Sequence, residues 1–196
     1  MASKIIPLFL AFLLAACGGG GSSTPAPAPN QPPAVVQITA YGDSTQLAQG
    51  NPHAANRAGW SIENKGIGSS TTTQWLAKWD TELTATSATI VIYNGGINDG
   101  DLTLEQYKAA LREMVRIARV HKKQLMLEQP NNATAKPGFD LAAFNDRRAA
   151  MGPLASAEGV YFCAQPDVPL FDNVHPTAEG YATKAVKLAK CIADAL

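Results

Sequence analysis

Short apolar segments rich in β-branched residues alternate along the chain with longer segments whose apolar residues recur at helical spacing. The short segments end at glycine, proline or lysine–glycine turns, a pattern typical of buried β-strands. Five strands are predicted on this basis, at residues 35–41, 60–64, 88–93, 124–128 and 160–163. Helices are predicted between and after them, at residues 71–83, 104–121, 141–151 and 178–196.

The segment 104–121 has the clearest helical pattern, and Thr103 with Gln106 predicts a capping box at its start. Strands that alternate with helices over five rounds indicate a parallel sheet covered by helices on both faces. We therefore predict an α/β fold, a three-layer flavodoxin-like sandwich with a five-stranded parallel sheet between helices. Ligands of such folds bind at the carboxyl ends of the strands, so the loops that follow the strands form the candidate site.

Residues 1–16 have the pattern of a signal peptide. Their apolar run, residues 5–16, is shorter than the roughly 20 residues that a membrane-spanning helix needs. The run leads into Leu14-Ala15-Ala16-Cys17, which resembles the lipobox of bacterial lipoproteins. The resemblance implies cleavage after residue 16 and lipidation of Cys17. A plain secretory signal cut near Ala16, with Cys17 incidental, is the alternative.

Residues 17–34 are dominated by glycine, serine, proline and alanine, so the lipidated cysteine is expected to continue into a linker without a core of its own. The folded domain is expected at residues 35–196. Gly18 resembles the outer-membrane sorting choice of Gram-negative lipoproteins. This resemblance implies an exported protein, lipid-anchored to the outer membrane and facing the periplasm or the cell surface.

The chain has 16 basic and 16 acidic side chains and no net charge at pH 7. Nucleic-acid binding needs a basic surface, so this balance argues against a nucleic-acid partner. Export would place Cys163 and Cys191 in an oxidising compartment, where an even pair is expected to form a disulfide. A metal site is the competing interpretation, but neither a CxxC motif nor a histidine cluster stands nearby, so no metal is predicted.

Four of the candidate loops carry short polar motifs. In chain order these are Gly42-Asp43-Ser44-Thr45, Asn64-Lys65-Gly66-Ile67-Gly68-Ser69-Ser70-Thr71, Gly95-Gly96-Ile97-Asn98-Asp99 and Asp172-Asn173-Val174-His175-Pro176. Their order and their positions resemble the SGNH (GDSL-type) hydrolases over residues 36–196. The resemblance implies an SGNH hydrolase domain that cleaves esters by acyl transfer and uses no cofactor.

The resemblance and the chemistry of acyl transfer together assign three catalytic roles. Ser44 is expected to be the nucleophile, His175 the base that takes its proton, and Asp172 the carboxylate that orients the imidazole. The other two histidines have no such acidic neighbour in the sequence. His121 is expected to be solvated, and His53 to lie in a polar loop where a substrate contact is the less favoured alternative.

The resemblance also implies an oxyanion hole formed by the backbone N–H of Ser44, a backbone N–H of the second motif and the side-chain amide of Asn98. The alternative for Asn98 is a turn-capping role. The family's second motif has a glycine where this chain has Ser69, and a glycine stands one position earlier at Gly68. Ser69 is therefore the expected donor and Gly68 the alternative.

Three further features receive expectations of their own. Asp99 is expected either to orient its loop or to be solvated. Trp75 and Trp79, four residues apart, are expected to pack in the core rather than to bind a sugar. Residues 129–133 follow the fourth predicted strand and are expected to line the acyl pocket.

These features predict a monomeric serine ester hydrolase, tethered to a bacterial membrane, that cleaves short-chain or acetyl esters of a small molecule, glycan or lipid through an acyl-serine intermediate. The motifs do not fix the acyl chain or the acceptor. A lysophospholipase- or thioesterase-like hydrolase and an acyltransferase of the same family are therefore alternatives. A catalytically silent glycan-binding lipoprotein is the alternative of a different class, although it would not need the nucleophile, base and oxyanion residues.

Overall fold

The computed structural model describes residues 35–47, 55–57 and 59–196. The predicted signal peptide, Cys17, the linker and His53 lie outside the described residues. The elements are, in chain order, β1 (Val36–Gly42), α1 (Ser44–Leu47), β2 (Trp60–Asn64), α2 (Thr72–Ala85), β3 (Ile90–Asn94), α3 (Leu104–Val120), β4 (Gln124–Glu128), α4 (Leu141–Glu158), β5 (Tyr161–Cys163) and α5 (Ala178–Ala195).

The described strands form one parallel sheet in the order β2-β1-β3-β4-β5. Parallel strands covered on both faces carry continuous apolar runs, here residues 90–93 of β3 and 125–127 of β4, which is why these strands could be recognised in the sequence. The register pairs Gly42 with Asn94 and Glu128 with Cys163. The carboxyl ends of β1, β3, β4 and β5 therefore meet at one edge of the sheet, where the candidate loops begin.

Alternate side chains of the strands enter two separate cores. Tyr41, Val91 and Leu125 pack in the core covered by α2, α3 and α4, and Ile38, Ile92 and Met126 pack in the core covered by α5. The sheet is therefore the middle of three layers. The predicted α/β sandwich with a five-stranded parallel sheet is confirmed.

Most predicted boundaries lie within two residues of the observed ones, but the end of α4 was predicted wrongly. The prediction stopped at residue 151, before Gly152-Pro153, whereas the helix continues to Glu158 and ends at Gly159 with φ 61°. Pro153 cannot donate a helical hydrogen bond, and burial of Leu154 and Ala155 offsets that loss. The left-handed conformation of Gly159 then terminates the helix.

Cys163 of β5 and Cys191 of α5 form a disulfide across 28 residues. It fastens the last helix to the edge strand of the sheet. On the chain-entropy model a loop of this length stabilises the fold by roughly 3–4 kcal/mol. None of the helices in the described ranges is both long enough and apolar enough to span a bilayer.

Candidate active site

Ser44, His175 and Asp172 form a hydrogen-bonded chain at the carboxyl edge of the sheet. The Oγ atom of Ser44 lies 2.9 Å from Nε2 of His175, and Nδ1 of His175 lies 2.7 Å from Oδ2 of Asp172. The serine and the histidine are 131 residues apart in the sequence. The fold thus brings together the three residues that the sequence nominated for catalysis.

The loop that carries the histidine is held by short-range hydrogen bonds. Oδ1 of Asp172 accepts the backbone N–H of Val174 at 3.2 Å and that of His175 at 2.8 Å. These bonds close an Asx-type turn in which Asn173 adopts φ 71°. The turn leaves Oδ2 of the same carboxylate directed at the imidazole, so the backbone and the ring are oriented by one side chain.

Ser44 follows β1 at a point where β1 and β3 approach each other closely. A Cβ atom at Gly42 would clash with the carbonyl oxygen of Asn94 and with the Gln46 side chain, so the first motif needs its glycine here. The buried carboxylate of Asp43 then accepts two bonds from Thr45, from the backbone N–H at 2.8 Å and from Oγ1 at 2.9 Å. This second Asx-type turn sets the direction in which Ser44 leaves the strand.

The second and third motifs are connected by hydrogen bonds beside the nucleophile. The side-chain amide of Asn98 donates to the carbonyl oxygen of Ser70 at 3.1 Å, which leaves its other N–H without a partner among the described residues. Ser70 Oγ donates to the carbonyl oxygen of Gly42 at 3.1 Å. Asn98 is therefore held by the second motif, and the second motif is held by the strand that leads to Ser44.

Ser69 occupies the left-handed region of the backbone map, with φ 59°, whereas Gly68 does not. Left-handed backbone is the conformation that favours glycine, so the shape of the loop corresponds to a glycine at position 69. Ser69 is also exposed to solvent. The geometry therefore gives Ser69, rather than Gly68, the conformation expected at the family's glycine position.

Asp99 was expected either to orient its loop or to be solvated. The structure supports the first alternative. The buried carboxylate of Asp99 accepts the backbone N–H of Thr72 at 2.7 Å and also bonds the Thr72 hydroxyl. Burial raises its pKa above the usual value, against the effect of these bonds and of Arg147. The carboxylate joins the third motif to the first residue of α2.

Three charged side chains near the nucleophile are fully buried. The sequence did not predict this burial for any of them. They are Asp43, Glu128 at the end of β4 and Lys184 of α5. Burial raises the pKa of Asp43 to about 6, against bonds from Thr45 and the charge of Lys184. Burial likewise lowers the pKa of Lys184, against the charges of Glu128 and Asp43. The lysine therefore compensates two buried carboxyl groups.

Lys184 also connects to the catalytic loop. Its Nζ donates to Oδ1 of Asn131 at 3.3 Å, and Nδ2 of Asn131 donates to the carbonyl oxygen of Val174 at 2.8 Å. A signal for this connection stands in the sequence, because Lys184 falls on the face of α5 that also carries Tyr181 and Leu188. A lysine on an apolar helical face indicates a buried charge with partners elsewhere.

The remaining predicted residues divide in their outcomes. Trp75 and Trp79 are buried in the core, as expected. Trp75 also donates its indole N–H to the carbonyl oxygen of Gly42 at 3.0 Å, so it supports the turn before the nucleophile. His121 was expected to be solvated, but its Nε2 lies 2.8 Å from Oδ1 of Asp80, a partner 41 residues away that sequence proximity does not reveal.

Two cavities border the candidate loops. The larger, about 460 Å³, is lined by Gln129, Asn132 and Ala133 together with residues of α4. The amide of Asn132 is bonded at both ends to the backbone of Val168. The smaller cavity, about 260 Å³, borders Asn98 and has Ile97 and Phe139 in its lining. Residues 129–133 therefore contribute to the larger cavity. The cavity beside Asn98, the candidate oxyanion donor, is the smaller one, and these residues do not line it.

Clusters of three or more histidine, cysteine, aspartate or glutamate side chains that would suit a metal ion do not occur in the described part of the chain. The arrangement that is present, a hydroxyl bonded to an imidazole that is bonded to a carboxylate, suits nucleophilic acyl transfer.

The chain matches the GDSL-like lipase/acylhydrolase family over residues 25–183. No curated protein matches it at significant sequence similarity. Three solved structures share its fold, and because each is less than 25% identical to this chain they bear on its fold alone.

A GDSL-like lipase from Bacteroides thetaiotaomicron has a TM-score of 0.70 and 21% identity, with 82% of this chain and 89% of that chain covered. A carbohydrate acetylesterase from Sinorhizobium meliloti has a TM-score of 0.70 and 15% identity, covering 82% and 100%. The aryl esterase of M. smegmatis has a TM-score of 0.74 and 15% identity, covering 83% and 100%. Because the family match spans most of the sequence and the fold agrees, the chain belongs to the GDSL-like lipase/acylhydrolase family.

Proposed function

We propose that this protein hydrolyses short-chain or acetyl esters through an acyl intermediate on Ser44. The observation that carries the proposal is the chain of hydrogen bonds from Ser44 Oγ to His175 Nε2 at 2.9 Å and from His175 Nδ1 to Asp172 Oδ2 at 2.7 Å. A serine hydroxyl is a weak nucleophile until a base accepts its proton, and this geometry supplies the base and its orienting carboxylate.

In the acylation step, Ser44 Oγ attacks the ester carbonyl carbon while its proton moves to Nε2 of His175. The carbon–oxygen bond to the alcohol then breaks, and Nε2 returns the proton to the departing alcohol oxygen. Asp172 stabilises the imidazolium that exists between these two transfers. The products of this half-reaction are a free alcohol and an acyl-serine.

In the deacylation step, water attacks the acyl-serine and gives a proton to Nε2 of His175. Breakdown of the second tetrahedral intermediate returns the proton to Ser44 Oγ and releases the carboxylic acid. The same imidazole serves both half-reactions. Any change that misplaces it is therefore expected to slow both.

The negative charge of each tetrahedral intermediate needs donors that are already in position. We assign this role to the backbone N–H groups of Ser44 and Ser69 and to the side-chain N–H of Asn98. The bond from Asn98 to Ser70 at 3.1 Å supports the assignment, because it fixes the amide before substrate binds. Loss of one such donor typically raises the barrier by about 2.7–4 kcal/mol.

The preference for a short acyl group is supported by the cavity beside Asn98. That amide borders a solvent-open space of about 260 Å³, which Ile97 and Phe139 line together with the charged side chains of Lys136, Asp140 and Arg147. Sites for larger ligands typically measure about 300–1,000 Å³. An acetyl or propionyl group would fit this cavity, whereas most of a long fatty acyl chain would extend out of it into solvent.

The proposal is tested with p-nitrophenyl esters of increasing acyl length, on the wild type and on Ser44→Ala. The wild type is expected to prefer acetate and to lose kcat/KM as the chain lengthens. Ser44→Ala is expected to lose roughly 10⁴-fold or more of kcat with an unchanged melting temperature. Equal rates for the two proteins would reject the mechanism, and a catalytically silent glycan-binding protein would then be the better interpretation.

The same assay separates the related activities. A maximum at long acyl chains would favour a lysophospholipase- or thioesterase-like enzyme over the proposed short-chain esterase. Addition of a sugar or simple alcohol acceptor tests acyl transfer. If ester of the acceptor accumulates faster than free acid, the protein is an acyltransferase rather than a hydrolase.

We further propose that the enzyme is exported, anchored through lipid on Cys17 to the outer membrane of a Gram-negative bacterium, and monomeric. The lipobox-like Leu14-Ala15-Ala16-Cys17 and the Cys163–Cys191 disulfide, typical of oxidising compartments, support this localisation. A fatty-acid analogue is expected to label the wild type in cells but not Cys17→Ser. Persistent label on Cys17→Ser would contradict the anchor, and light scattering of the soluble domain tests the monomer.

A further inference from the structure

Phe171 stands directly before the loop that carries Asp172 and His175. The residue is 66% exposed, the highest value among the large exposed apolar residues in the described part of the chain. The ring stacks on the imidazole of His175, with ring centres 5.7 Å apart and planes inclined by 26°. Its backbone N–H donates to the carbonyl oxygen of His175 at 3.0 Å, so one turn fixes the positions of both rings.

A single exposed apolar side chain is ordinary on a protein surface and needs no explanation by itself. Phe171 differs from the exposed aromatic Tyr161, which lies in β5, the edge strand that β3 and β4 separate from β1 and the nucleophile. The phenyl ring contacts the group that transfers protons in the proposed reaction. Any substrate that approaches Nε2 of His175 therefore passes beside an aromatic surface that is still largely exposed to water.

The proposed chemistry decides which part of the substrate meets this ring. The alcohol oxygen must receive its proton from Nε2 of His175, so the alcohol part of the ester lies on the imidazole side of Ser44. The carbonyl oxygen points instead to Asn98, and the acyl chain takes the remaining direction around the carbonyl carbon, away from the alcohol. Phe171 therefore borders the space of the alcohol and not that of the acyl group.

We propose that Phe171 is a specificity-determining residue that binds the flat face of a ring carried by the alcohol part of the ester. The proposal rests on the proposed esterase function and adds the class of substrate, esters of aromatic or pyranose alcohols. Both kinds of ring present a flat face of C–H or π character that packs well on a phenyl ring. A small aliphatic alcohol has no such face and gains little from the contact.

The first test keeps the acyl group constant and varies the alcohol. Rates of Phe171→Ala, Phe171→Leu and wild type are compared on phenyl acetate, a monoacetylated methyl pyranoside and ethyl acetate. Phe171→Ala is expected to lower kcat/KM for the ring esters roughly tenfold and to leave ethyl acetate unchanged. Phe171→Leu, which keeps an apolar side chain but loses the flat ring, is expected to fall between the two. The two ring substrates together report whether the site favours aromatic or sugar rings.

The second test separates binding of the alcohol from positioning of the base. The alcohol has left before deacylation begins, so Phe171→Ala is expected to slow the burst of p-nitrophenol from p-nitrophenyl acetate and to leave the hydrolysis rate of the acetyl-enzyme unchanged. If the stacked ring merely held His175 in place, both phases would slow together. The ratio of acetate to butyrate rates should also stay constant, because the acyl side is untouched.

Tyr161→Ala is the matched control, because it removes an exposed aromatic ring from the edge strand, three strands away from β1, and is expected to change none of these rates. An equal loss on ethyl acetate and phenyl acetate, or a slowed deacylation, would overturn the role of Phe171 while leaving the esterase intact. Full activity of Ser44→Ala would instead overturn the proposed function itself. The two failures are therefore distinguishable within one set of proteins.

Discussion

Asp43 and Asp172 are neighbours of the nucleophile and of the base, and both close the same kind of turn. Asp43 accepts two hydrogen bonds from Thr45, and Asp172 accepts the backbone N–H groups of Val174 and His175. The two turns differ in the second carboxylate oxygen. Oδ2 of Asp172 bonds the imidazole, whereas Oδ2 of Asp43 is buried and has no hydrogen-bond partner among the described residues.

Burial separates the two groups electrostatically. Asp43 has no exposed surface, and loss of solvent raises its pKa to about 6. The side chain of Asp172 is 41% exposed. Its slight burial acts to raise the pKa, but the hydrogen bonds from His175 and Val174 outweigh that effect and hold the pKa below its usual value. The exposed carboxylate therefore stays charged for the imidazole, whereas the buried one resists ionisation.

The comparison shows that the same kind of turn has two different functions, depending on whether its carboxylate is buried. At the surface, an Asx turn orients a reactive ring and keeps its negative charge available. In the interior, the same turn fixes the path of the chain before Ser44 and needs compensation from Lys184. We therefore expect changes near Asp172 to affect catalysis and changes near Asp43 to affect stability.

The largest effect is expected for Asp172→Asn. The amide keeps the size of the side chain but cannot stabilise the imidazolium or enforce its tautomer, so kcat should fall by roughly 10²–10⁴-fold. Ester hydrolysis and thermal unfolding are measured on the same preparation. Since the side chain is partly exposed, the melting temperature should change little. A melting temperature that falls as steeply as the activity would contradict the division between the two carboxylates.

Lys184→Met is expected to have the next largest effect, on stability. The methionine fills a similar volume but removes the positive charge that acts on Asp43 and Glu128 and takes away the hydrogen bond to Oδ1 of Asn131, which typically costs about 1–3 kcal/mol. The melting temperature of a domain of this size should then drop by roughly 5 °C. Lys190→Met is the control on the same helix, because it removes only an exposed ion pair to Asp194. Similar melting temperatures for the two variants would show that the buried charge is not needed.

Asp43→Asn tests the raised pKa through the pH dependence of stability. Because the folded-state pKa of about 6 exceeds the ordinary 3.8, protonation of Asp43 favours the folded state. Its contribution is complete below the ordinary pKa and is lost as the pH rises through about 6. The variant does not titrate here, so it should gain stability relative to the wild type between about pH 4 and about pH 7.

Asp172→Asn provides the matched comparison for this pH dependence of stability. The folded-state pKa of Asp172 is lowered, so its stabilising contribution is lost only as the pH falls below the ordinary carboxyl range. The difference in melting temperature between Asp172→Asn and the wild type should therefore stay flat over the window in which Asp43→Asn changes. Parallel slopes for the two variants would contradict the opposite shifts of the two pKa values.

The sheet could be predicted from the sequence because strands buried on both faces carry uninterrupted apolar runs, as in residues 90–93 of β3. The base and its carboxylate could be predicted because Asp172 and His175 are three residues apart and interact within one turn. Local chemistry and local periodicity are properties of short segments. Both are therefore visible before the chain is folded.

The missed features depend on contacts between distant segments. Lys184 reaches Asn131 across 53 residues, and His121 reaches Asp80 across 41. Neither partner is marked by a motif, so only the packing of α5 on the sheet and of α2 beside α3 reveals them. The continuation of α4 past Pro153 has the same origin, because burial of Leu154 outweighs a local signal for helix termination.

Ser69→Gly is expected to have the smallest effect. It changes the second motif, which supplies one of the proposed oxyanion donors. Ser69 holds φ 59°, which typically costs a non-glycine residue about 1–2 kcal/mol. Glycine relieves that cost but adds about 0.4–1 kcal/mol of chain entropy to the unfolded state. The net gain in the free energy of unfolding should be about 0.5 kcal/mol, measured by denaturant titration. Ser69→Ala is the control, because it removes the hydroxyl and keeps the strain, so it should not gain stability.

A backbone N–H donor needs no side chain, and both variants should therefore retain esterase activity. If Ser69→Ala lost activity and Ser69→Gly did too, the hydroxyl rather than the backbone N–H of residue 69 would be the group that meets the substrate.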